Sequence, residues 1–327
     1  MSAPQIVVVG SYATGLTMKV PRLPTSGETL MGRGYRVDFG GKGSNQAVGC
    51  ARLGAQVHFI CRIGSDRFGD AAFNLYREEG VGVVHATRSG DAPTGVGFIV
   101  VEEESGRNCI VIDPGANALL SAADVAEAET VLRSASVVLT QLEIPVTAAA
   151  SAMERGRANG AITVLNPAPA HSLPASLLRS VDFLTPNESE AKVLAGYPPD
   201  AEVEPHVVAQ DLIRSGVKHV VITLGQQGAL LVNADSRTHF RTVQVQAVDT
   251  TGAGDAFNAG LAVALAHRSS IEEAVEFATF TGAMAVTKEG VIPSLPGLGE
   301  VLAFLSDHKM GAPEWLCKIA ATDTEAR

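Results

Sequence analysis

The chain has 327 residues, a net charge of −10 and an apolar fraction of 46%. This length can bury a substantial core, and the low content of charged and aromatic residues favours an α/β protein with strands buried on both faces. No basic run supplies the clustered Lys and Arg that nucleic acid or an anionic membrane would need, so neither partner is expected. Four widely spaced cysteines and a short N-terminal apolar run predict reduced thiols and a cytoplasmic protein.

Strand-like apolar runs alternate with helical stretches along most of the chain, beginning near residues 6, 57, 136, 161, 181 and 217. Strand followed by helix, repeated, predicts a mostly parallel sheet with helices on both faces and ligands at the edge where strands end. Segments 28–41 and 94–112 are typical of β-structure without helices, the second being a hairpin that turns at Ser105 and Gly106. We therefore predict one domain, 1–307, with lid segments near 12–40 and 93–113, and a partly disordered tail, 308–327.

A glycine-rich turn in the first third of the chain, DFGGKGSNQAVGCARLGA at residues 38–55, is the first candidate ligand site. Glycine lets the backbone approach a ligand, Lys42 and Asn45 supply donors, and the following residues predict a helix. The turn is not a P-loop, and residues 10–15 do not spell the dinucleotide fingerprint GxGxxG. Metal-protease and serine-hydrolase motifs are also absent from the sequence.

The second candidate turn is DTTGAGDAFNAG, residues 249–260. Residues 243–248 alternate apolar and polar, so the unit is predicted to be strand, tight turn and helix. The small residues Gly252–Gly254 would present the N–H groups of a helix N-terminus to an anion. Asp255 beside an anion site fits a base that takes a proton from a hydroxyl attacking a phosphate; the alternative is an ordinary helix N-cap.

With both turns in place, the chain resembles the ribokinase branch of the PfkB family of carbohydrate kinases. The motifs that carry the resemblance are GGKGSNQAVGCARLGA and DTTGAGDAFNAGLAVAL, with GAN, QLE, LNPAPA, TPNESEA and ITLGQQGAL between them. The resemblance spans about residues 5 to 305. It implies a ribokinase-like α/β fold with a small β lid, and transfer of the γ-phosphoryl group of ATP to a primary hydroxyl of a pentose or related sugar.

The resemblance also implies roles for individual residues. Asp255 would be the catalytic base and Gly252, Ala253 and Gly254 the anion hole, while the sugar would be bound by Gly41, Lys42, Asn45, Glu143 and Asp255. ATP would be contacted by Asn187, Thr223, Gly225, Gly228 and Gly254, and Mg²⁺ held indirectly by Glu190. A K⁺ site would be formed by Asp249, Thr251, Ala285, Lys288, Gly290 and Ser294, and a homodimer would form through the lid.

The sequence departs from the ribokinase pattern after the first strand. Ribokinases usually carry an Asn and, two residues later, an Asp that holds secondary hydroxyls of the sugar; here Ala13 and Gly15 stand instead. A charged hydrogen bond of this type contributes ~1.5–3 kcal/mol. Three interpretations remain open: Tyr12 or Thr14 substitutes in part, the acceptor is a sugar other than plain D-ribose, which we favour, or the motif is shifted. A nucleoside kinase and a non-catalytic sugar-binding regulator are the alternative functions.

Overall fold

The computed structural model describes residues 3–325. Within them, nine strands form a central sheet in the order β13-β12-β11-β10-β9-β8-β1-β4-β5. These strands are β1 (Gln5–Val9), β4 (Gln56–Gly64), β5 (Ala86–Ser89), β8 (Val137–Thr140), β9 (Ile162–Leu165), β10 (Phe183–Leu184), β11 (His219–Thr223), β12 (Ala229–Val232) and β13 (Arg237–Phe240). The seven neighbouring strands β11, β10, β9, β8, β1, β4 and β5 pair in parallel, and β12 and β13 are antiparallel. All six apolar runs predicted as strands lie in this sheet.

Thirteen helices and two short 3₁₀ turns surround the sheet within residues 3–325. The helices are α1 (Lys42–Arg52), α2 (Arg67–Glu78), α3 (Ala122–Glu127), α4 (Glu129–Ser134), α5 (Val146–Ala158), α6 (Ala175–Leu178), α7 (Glu188–Leu194), α8 (Pro205–Arg214), α9 (Ala253–Ala266), α10 (Ile271–Ala285), α11 (Val291–Ser294), α12 (Leu298–Asp307) and α13 (Glu314–Glu325). The 3₁₀ turns are Gly115–Leu119 and Gly225–Gln227. No helix in this described range has the length and apolar character needed to cross a bilayer.

The central sheet separates two hydrophobic clusters, which explains why its strands read as continuous apolar runs. Ile6 and Val8 of β1 belong to the cluster that includes α1, α9 and α10, whereas Val7 and Val9 belong to the cluster that includes α5 and α8. Successive side chains of a strand point to opposite faces, so a strand covered on both sides must be apolar at every position. The predicted α/β class, with helices on both faces of a mostly parallel sheet, is confirmed.

A second sheet of four strands forms the lid, in the order β3-β2-β6-β7. Its strands are β2 (Ala13–Val20), β3 (Arg33–Gly40), β6 (Gly95–Glu102) and β7 (Asn108–Asp113). The predicted hairpin of β6 and β7 is present, with Val101 paired to Asn108 and Gly106 at φ 69° in the turn. One row of paired residues crosses the whole lid: Asp38, Gly15, Gly97 and Ile112.

The predicted strand at residues 243–248 is wrong. The alternation is partly realised, because Val243 and Val245 are half-buried while Gln244 and Gln246 are exposed. Among residues 3–325 no strand pairs with this segment, so it forms no ladder and its backbone is irregular. It ends where the N–H groups of Val248 and Asp249 both donate to the carbonyl of Val286.

The C-terminal segment also differs from the expectation of a partly disordered tail. Residues Glu314–Glu325 form α13, and the side chain of Leu316 is fully buried. The Trp315 ring stacks on His267 at 4.8 Å and meets the Phe277 ring edge-on at 5.0 Å. Ile319 and Ala320 also pack against the core, so apolar side chains anchor the helix in a pattern too short for the sequence to distinguish from a frayed end.

Candidate active site

The two predicted turns meet at the edge of the sheet where the parallel strands end. The turn 40–43 opens α1, and the turn 250–253 opens α9. Their side chains are in direct contact, because Asn45 Nδ2 of α1 lies 2.8 Å from Asp255 Oδ2 of α9. Glu143, which follows β8, reaches the same point and accepts a hydrogen bond from the backbone N–H of Lys42 at 2.8 Å. The fold thus assembles the site at the strand edge that the sequence predicted.

Asp255 is a buried carboxylate held by two amide groups. It is only 5% exposed, and it accepts hydrogen bonds from Asn45 at 2.8 Å and from Gln46 Nε2 at 2.9 Å. Burial raises the pKa of Asp255 above the usual value, and the nearby Glu143 adds to this, while Lys42 and the two amide hydrogen bonds lower it. A fixed carboxylate with a raised pKa is the arrangement of a general base rather than of a solvated surface group.

The alternative assignment of Asp255 as a helix N-cap is wrong. The N-cap of α9 is Gly252, so Asp255 occupies the third position of the helix. Its side chain bonds Asn45 and Gln46, both of α1, instead of the helix's own N–H groups.

Three further amide side chains, which sequence reasoning did not single out, extend the contact network around Asp255. Gln46 Nε2 also donates to Asn166 Oδ1 at 3.1 Å, and Gln141 Nε2 donates to Gln46 Oε1 at 2.5 Å. Gln46, Gln141 and Asn166 are all buried. Gln46 directly follows Asn45, and the other two lie within the QLE and LNPAPA motifs, which is the signal that could have found them. The network fixes which way each amide points and so fixes the Asp255 carboxylate.

The Gly252–Gly254 turn is open on the side where an anion would lie. Gly252 has φ 84°, a left-handed conformation that favours glycine, and a Cβ there would lie 2.7 Å from Val291 Cγ1. A Cβ at Gly254 would meet nothing within 4 Å. The Ala253 N–H donates to the Thr250 carbonyl at 3.4 Å, and the positive end of the α9 helix dipole lies at this turn. The turn can hold a phosphoryl group.

Lys42 lies among three carboxylates at the start of α1. Burial alone would lower the pKa of the Lys42 ammonium, but Asp255, Glu143 and Glu190 outweigh burial, so the pKa is raised and the group stays charged at neutral pH. Gly41, directly before it, has φ 88°, and a Cβ there would come within 2.7 Å of the Ala13 backbone nitrogen. Glycine is therefore required where the lid strand β3 passes into α1.

A cleft lies beside the α9 N-terminus. It is lined by Thr223, Gly225, Gly228 and Gly254, four of the five residues predicted to contact ATP. Apolar side chains of Val243, Val245, Phe257, Ala283 and Val286 complete its walls. The cleft is also lined by Ala253, directly before Gly254, whereas Asp255 is not among its lining residues. Polar groups at one end and apolar walls at the other suit a nucleotide.

The fifth predicted ATP residue, Asn187, forms a capping box with Glu190. Asn187 Oδ1 accepts from the Glu190 N–H at 2.8 Å, and Glu190 Oε2 accepts from the Asn187 N–H at 2.8 Å. Burial raises the pKa of Glu190 and Asp255 adds to it, while the Asn187 N–H and Lys42 lower it. The NxxE element therefore caps α7, and this cap holds the Glu190 carboxylate near Lys42 and Asp255.

The residues predicted to bind K⁺ lie in three sets. Asp249 accepts hydrogen bonds from the N–H groups of Thr251 at 2.9 Å and Gly290 at 3.1 Å, which brings these three together. Ala285 ends α10 and Lys288 lies in the turn after it; the Lys288 N–H donates to the Ala285 carbonyl, and the Lys288 ammonium pairs with Glu300. Ser294 is buried, and its hydroxyl donates to the Val291 carbonyl at 2.8 Å. The Lys288 ammonium is thus engaged by Glu300.

The chain matches the pfkB family of carbohydrate kinases over residues 3–298. It belongs to that family. It is 39% identical to a ribokinase from Haemophilus influenzae, over 92% of this chain and 98% of that one, and 33% identical to a deoxyribokinase from Salmonella typhi over the same shares. A Thermotoga maritima ribokinase superposes with a TM-score of 0.85 at 36% identity, covering 93% of this chain and 100% of that one. An Arabidopsis thaliana ribokinase complexed with ribose and ATP superposes with a TM-score of 0.87 at 31% identity, covering 93% of this chain and 99% of that one.

In this carbohydrate kinase, neither Tyr12 nor Thr14 replaces the polar residues missing at positions 13 and 15. Both side chains are buried, and their hydroxyl groups lie 3.1 Å from each other. The Tyr12 ring also packs edge-on against Tyr76 at 6.2 Å. Thr14 alternates with Ala13 and Gly15 along β2, so its side chain lies on the opposite face of the lid, and the Tyr12 ring belongs to the hydrophobic core; both placements disfavour the interpretation that these residues bind the sugar.

Proposed function

We propose that the protein transfers the γ-phosphoryl group of ATP to the primary hydroxyl of a pentose or a close derivative. The observation that carries the proposal is Asp255, a buried carboxylate fixed by Asn45 and Gln46 directly after an open helix N-terminus. Family membership and the similarity to ribokinases and a deoxyribokinase support a pentose acceptor.

In the proposed reaction, Asp255 removes the proton from the primary hydroxyl as its oxygen attacks the γ-phosphorus. The bond from that phosphorus to the β,γ-bridging oxygen breaks, which releases ADP. N–H groups of the Gly252–Gly254 turn stabilise the negative charge on the transferring group. Lys42, Asn45 and Glu143, beside Asp255, bind and orient the sugar through hydroxyl contacts. Closure of the lid excludes water, so that the sugar and not solvent is phosphorylated.

We propose two cation sites beside the nucleotide. Mg²⁺ would be held through water by Glu190, with Asn187 beside it, and would offset the triphosphate charge. This fits the donor set, because Mg²⁺ commonly uses one or two carboxylates plus phosphates and water. K⁺ would lie near Asp249 with carbonyl ligands from the 285–294 segment. Assaying turnover in K⁺, Na⁺ and a large organic cation tests the second site.

The acceptor is proposed to be a sugar other than plain D-ribose. The backbone positions that carry Asn and Asp in ribokinases offer no polar side chain here, and Tyr12 and Thr14 do not supply one. The test is ADP release with purified protein, Mg²⁺ and K⁺, using D-ribose, 2-deoxy-D-ribose, D-arabinose, D-xylose, ketoses and nucleosides. Selective turnover of ribose would contradict the specificity proposal, and turnover of nucleosides alone would contradict the pentose assignment.

The lid supports a homodimer, which we also propose. Its outer face carries the row Val37, Leu16, Phe98 and Val111, and Val37 and Phe98 are 52% and 51% exposed. An exposed apolar sheet face is typical of an interface, and a second copy would offer the same surface. Sedimentation equilibrium should show a dimer that Phe98→Glu dissociates. A cytoplasmic location is proposed from the four unpaired cysteines.

A further inference from the structure

The lid carries a carboxylate directly beside Gly15. In the antiparallel pair of β2 and β3, Gly15 faces Asp38, and paired residues present their side chains on the same face of a sheet. A Cβ placed on Gly15 would lie 3.7 Å from the Asp38 Cβ. Asp38 therefore lies one strand away from the position where the acidic side chain of ribokinases stands, a displacement of about 4.8 Å.

The face that carries Asp38 is turned towards the active site. Arg36 shares this face, because it lies two residues from Asp38 on the same strand. Its guanidinium contacts Glu289 at 2.5 Å, next to Gly290, whose N–H donates to Asp249. The opposite face of β3 carries the exposed Tyr35, Val37 and Phe39. Asp38 thus faces the loops around the α9 N-terminus, and not the outer apolar surface.

The row through Asp38 forms a shallow trough across the lid. Two of its four positions, Gly15 and Gly97, have no side chain, while Asp38 stands at one end and the exposed Ile112 at the other. The Cδ1 atom of Ile99 leans over the glycines, 3.5 and 3.8 Å from where their Cβ atoms would be. A carboxylate facing an apolar side chain across a flat floor matches a sugar, which has hydroxyls on its edge and C–H groups on its ring faces.

Neither the backbone nor packing requires glycine at position 15. Its φ lies outside the left-handed region, and the contacts of an added Cβ, at 3.5 Å and beyond, are ordinary. The Asp38 carboxylate itself is 42% exposed and has only a weak partner, Arg36 Nε at 3.5 Å. One of its oxygens can therefore accept hydrogen bonds from a ligand without breaking a strong ion pair.

We infer that Asp38 is a specificity-determining residue that binds hydroxyl groups of the acceptor sugar from β3, in place of an acidic side chain on β2. The inference rests on the proposed sugar kinase function. The acidic group is relocated and not lost, so the acceptor must place its hydroxyls nearer to β3 than ribose does in the usual arrangement. The emptied floor at Gly15 leaves room for that shift.

The experiment measures kcat and KM for the best acceptor among D-ribose, 2-deoxy-D-ribose, D-arabinose and D-xylose. Asp38→Ala should lower kcat/KM for that sugar by about tenfold to a hundredfold, mainly through KM, with KM for ATP unchanged. Glu104→Gln, which removes the same charge from the exposed turn between β6 and β7, is the matched control and should stay within twofold. Equal losses in the two variants, or no loss in Asp38→Ala, would overturn the inference.

The double variant Gly15→Asp/Asp38→Ala separates sugar binding from lid stability. It returns the carboxylate to β2, where the structure has room for it, and should raise kcat/KM for D-ribose above that of Asp38→Ala. Loss in Asp38→Ala without recovery in the double variant would assign the loss to the lid itself and overturn the inference. A wild-type protein that phosphorylates none of the four sugars would instead refute the proposed function, so the two failures are distinguishable.

Discussion

Replacing Asp255 with Asn tests the proposed base with little change of shape. The Asn Oδ1 can still accept from one of the two amides, but its Nδ2 must face the other donor, so about one hydrogen bond is lost. That loss costs ~1 kcal/mol of folding free energy, which shifts the melting temperature by a few degrees at most. A carboxamide cannot take up the proton, so kcat should fall by about 10²–10⁴, which corresponds to ~2.7–5.5 kcal/mol in the barrier.

The assay is ADP release at saturating sugar and ATP, together with calorimetric titration of ATP. Nucleotide affinity should change little, because Asp255 does not line the nucleotide cleft. Asp182→Asn is the matched control. Asp182 is also a buried carboxylate, and it accepts hydrogen bonds from the Thr163 N–H at 3.0 Å and from Lys218 Nζ at 2.5 Å. It directly precedes β10, so it lies at the edge of the sheet where the parallel strands begin, opposite the active site. A folded Asp255→Asn enzyme with turnover within tenfold of the wild type would refute the reasoning.

Three other outcomes are expected. The base must be ionised to take up a proton, and the pKa of Asp255 is raised, so kcat/KM should fall on acidification at a higher pH than it would with an ordinary aspartate. A pH–rate profile whose acid limb lies at pH 4 or below would contradict this. Gly254→Ala should be at least as stable as the wild type, because the added Cβ meets no atom within 4 Å and alanine favours a helix over glycine. It should nevertheless lose turnover, because the methyl group would occupy the space proposed for the transferring phosphoryl group. Thermal melting measures the first effect and kcat the second. Glu190→Gln should raise the Mg²⁺ concentration needed for half-maximal rate severalfold, with KM for sugar unchanged, and an unaltered Mg²⁺ curve would remove Glu190 from that role.

The sequence predicted the sheet well because buried strands and helix starts leave strong local signals. A short, continuous apolar run such as Ile6–Val9 is typical of a strand that is covered on both faces. The segment 243–248 has an equally good alternation but no neighbouring strand, and pairing is a tertiary property that a local pattern does not contain. The burial of Leu316 depends likewise on distant helices that the tail sequence does not reveal.

The candidate site was only partly predictable for a related reason. Asn45 and Asp255 are 210 positions apart, and their contact could be expected only through resemblance to a family, not through spacing. Gln46 passed unnoticed because a glutamine in a helix is usually solvated, and only the folded chain shows it donating to Asp255. The sequence did not indicate Asp38, because its position beside Gly15 depends on the register of β2 against β3.

The junction at Gly41 has a consequence for directed evolution. One residue separates the end of β3 from the start of α1, so the lid trough and the Asp255 network are encoded in adjoining but physically distinct parts of the chain. A combinatorial library at positions 15, 38, 97 and 112 would alter the floor of the lid trough while leaving Asn45, Gln46 and the α9 turn untouched. New acceptor preferences could then be selected without rebuilding the phosphoryl-transfer chemistry, which makes this scaffold a practical starting point for biocatalysts acting on rare pentoses.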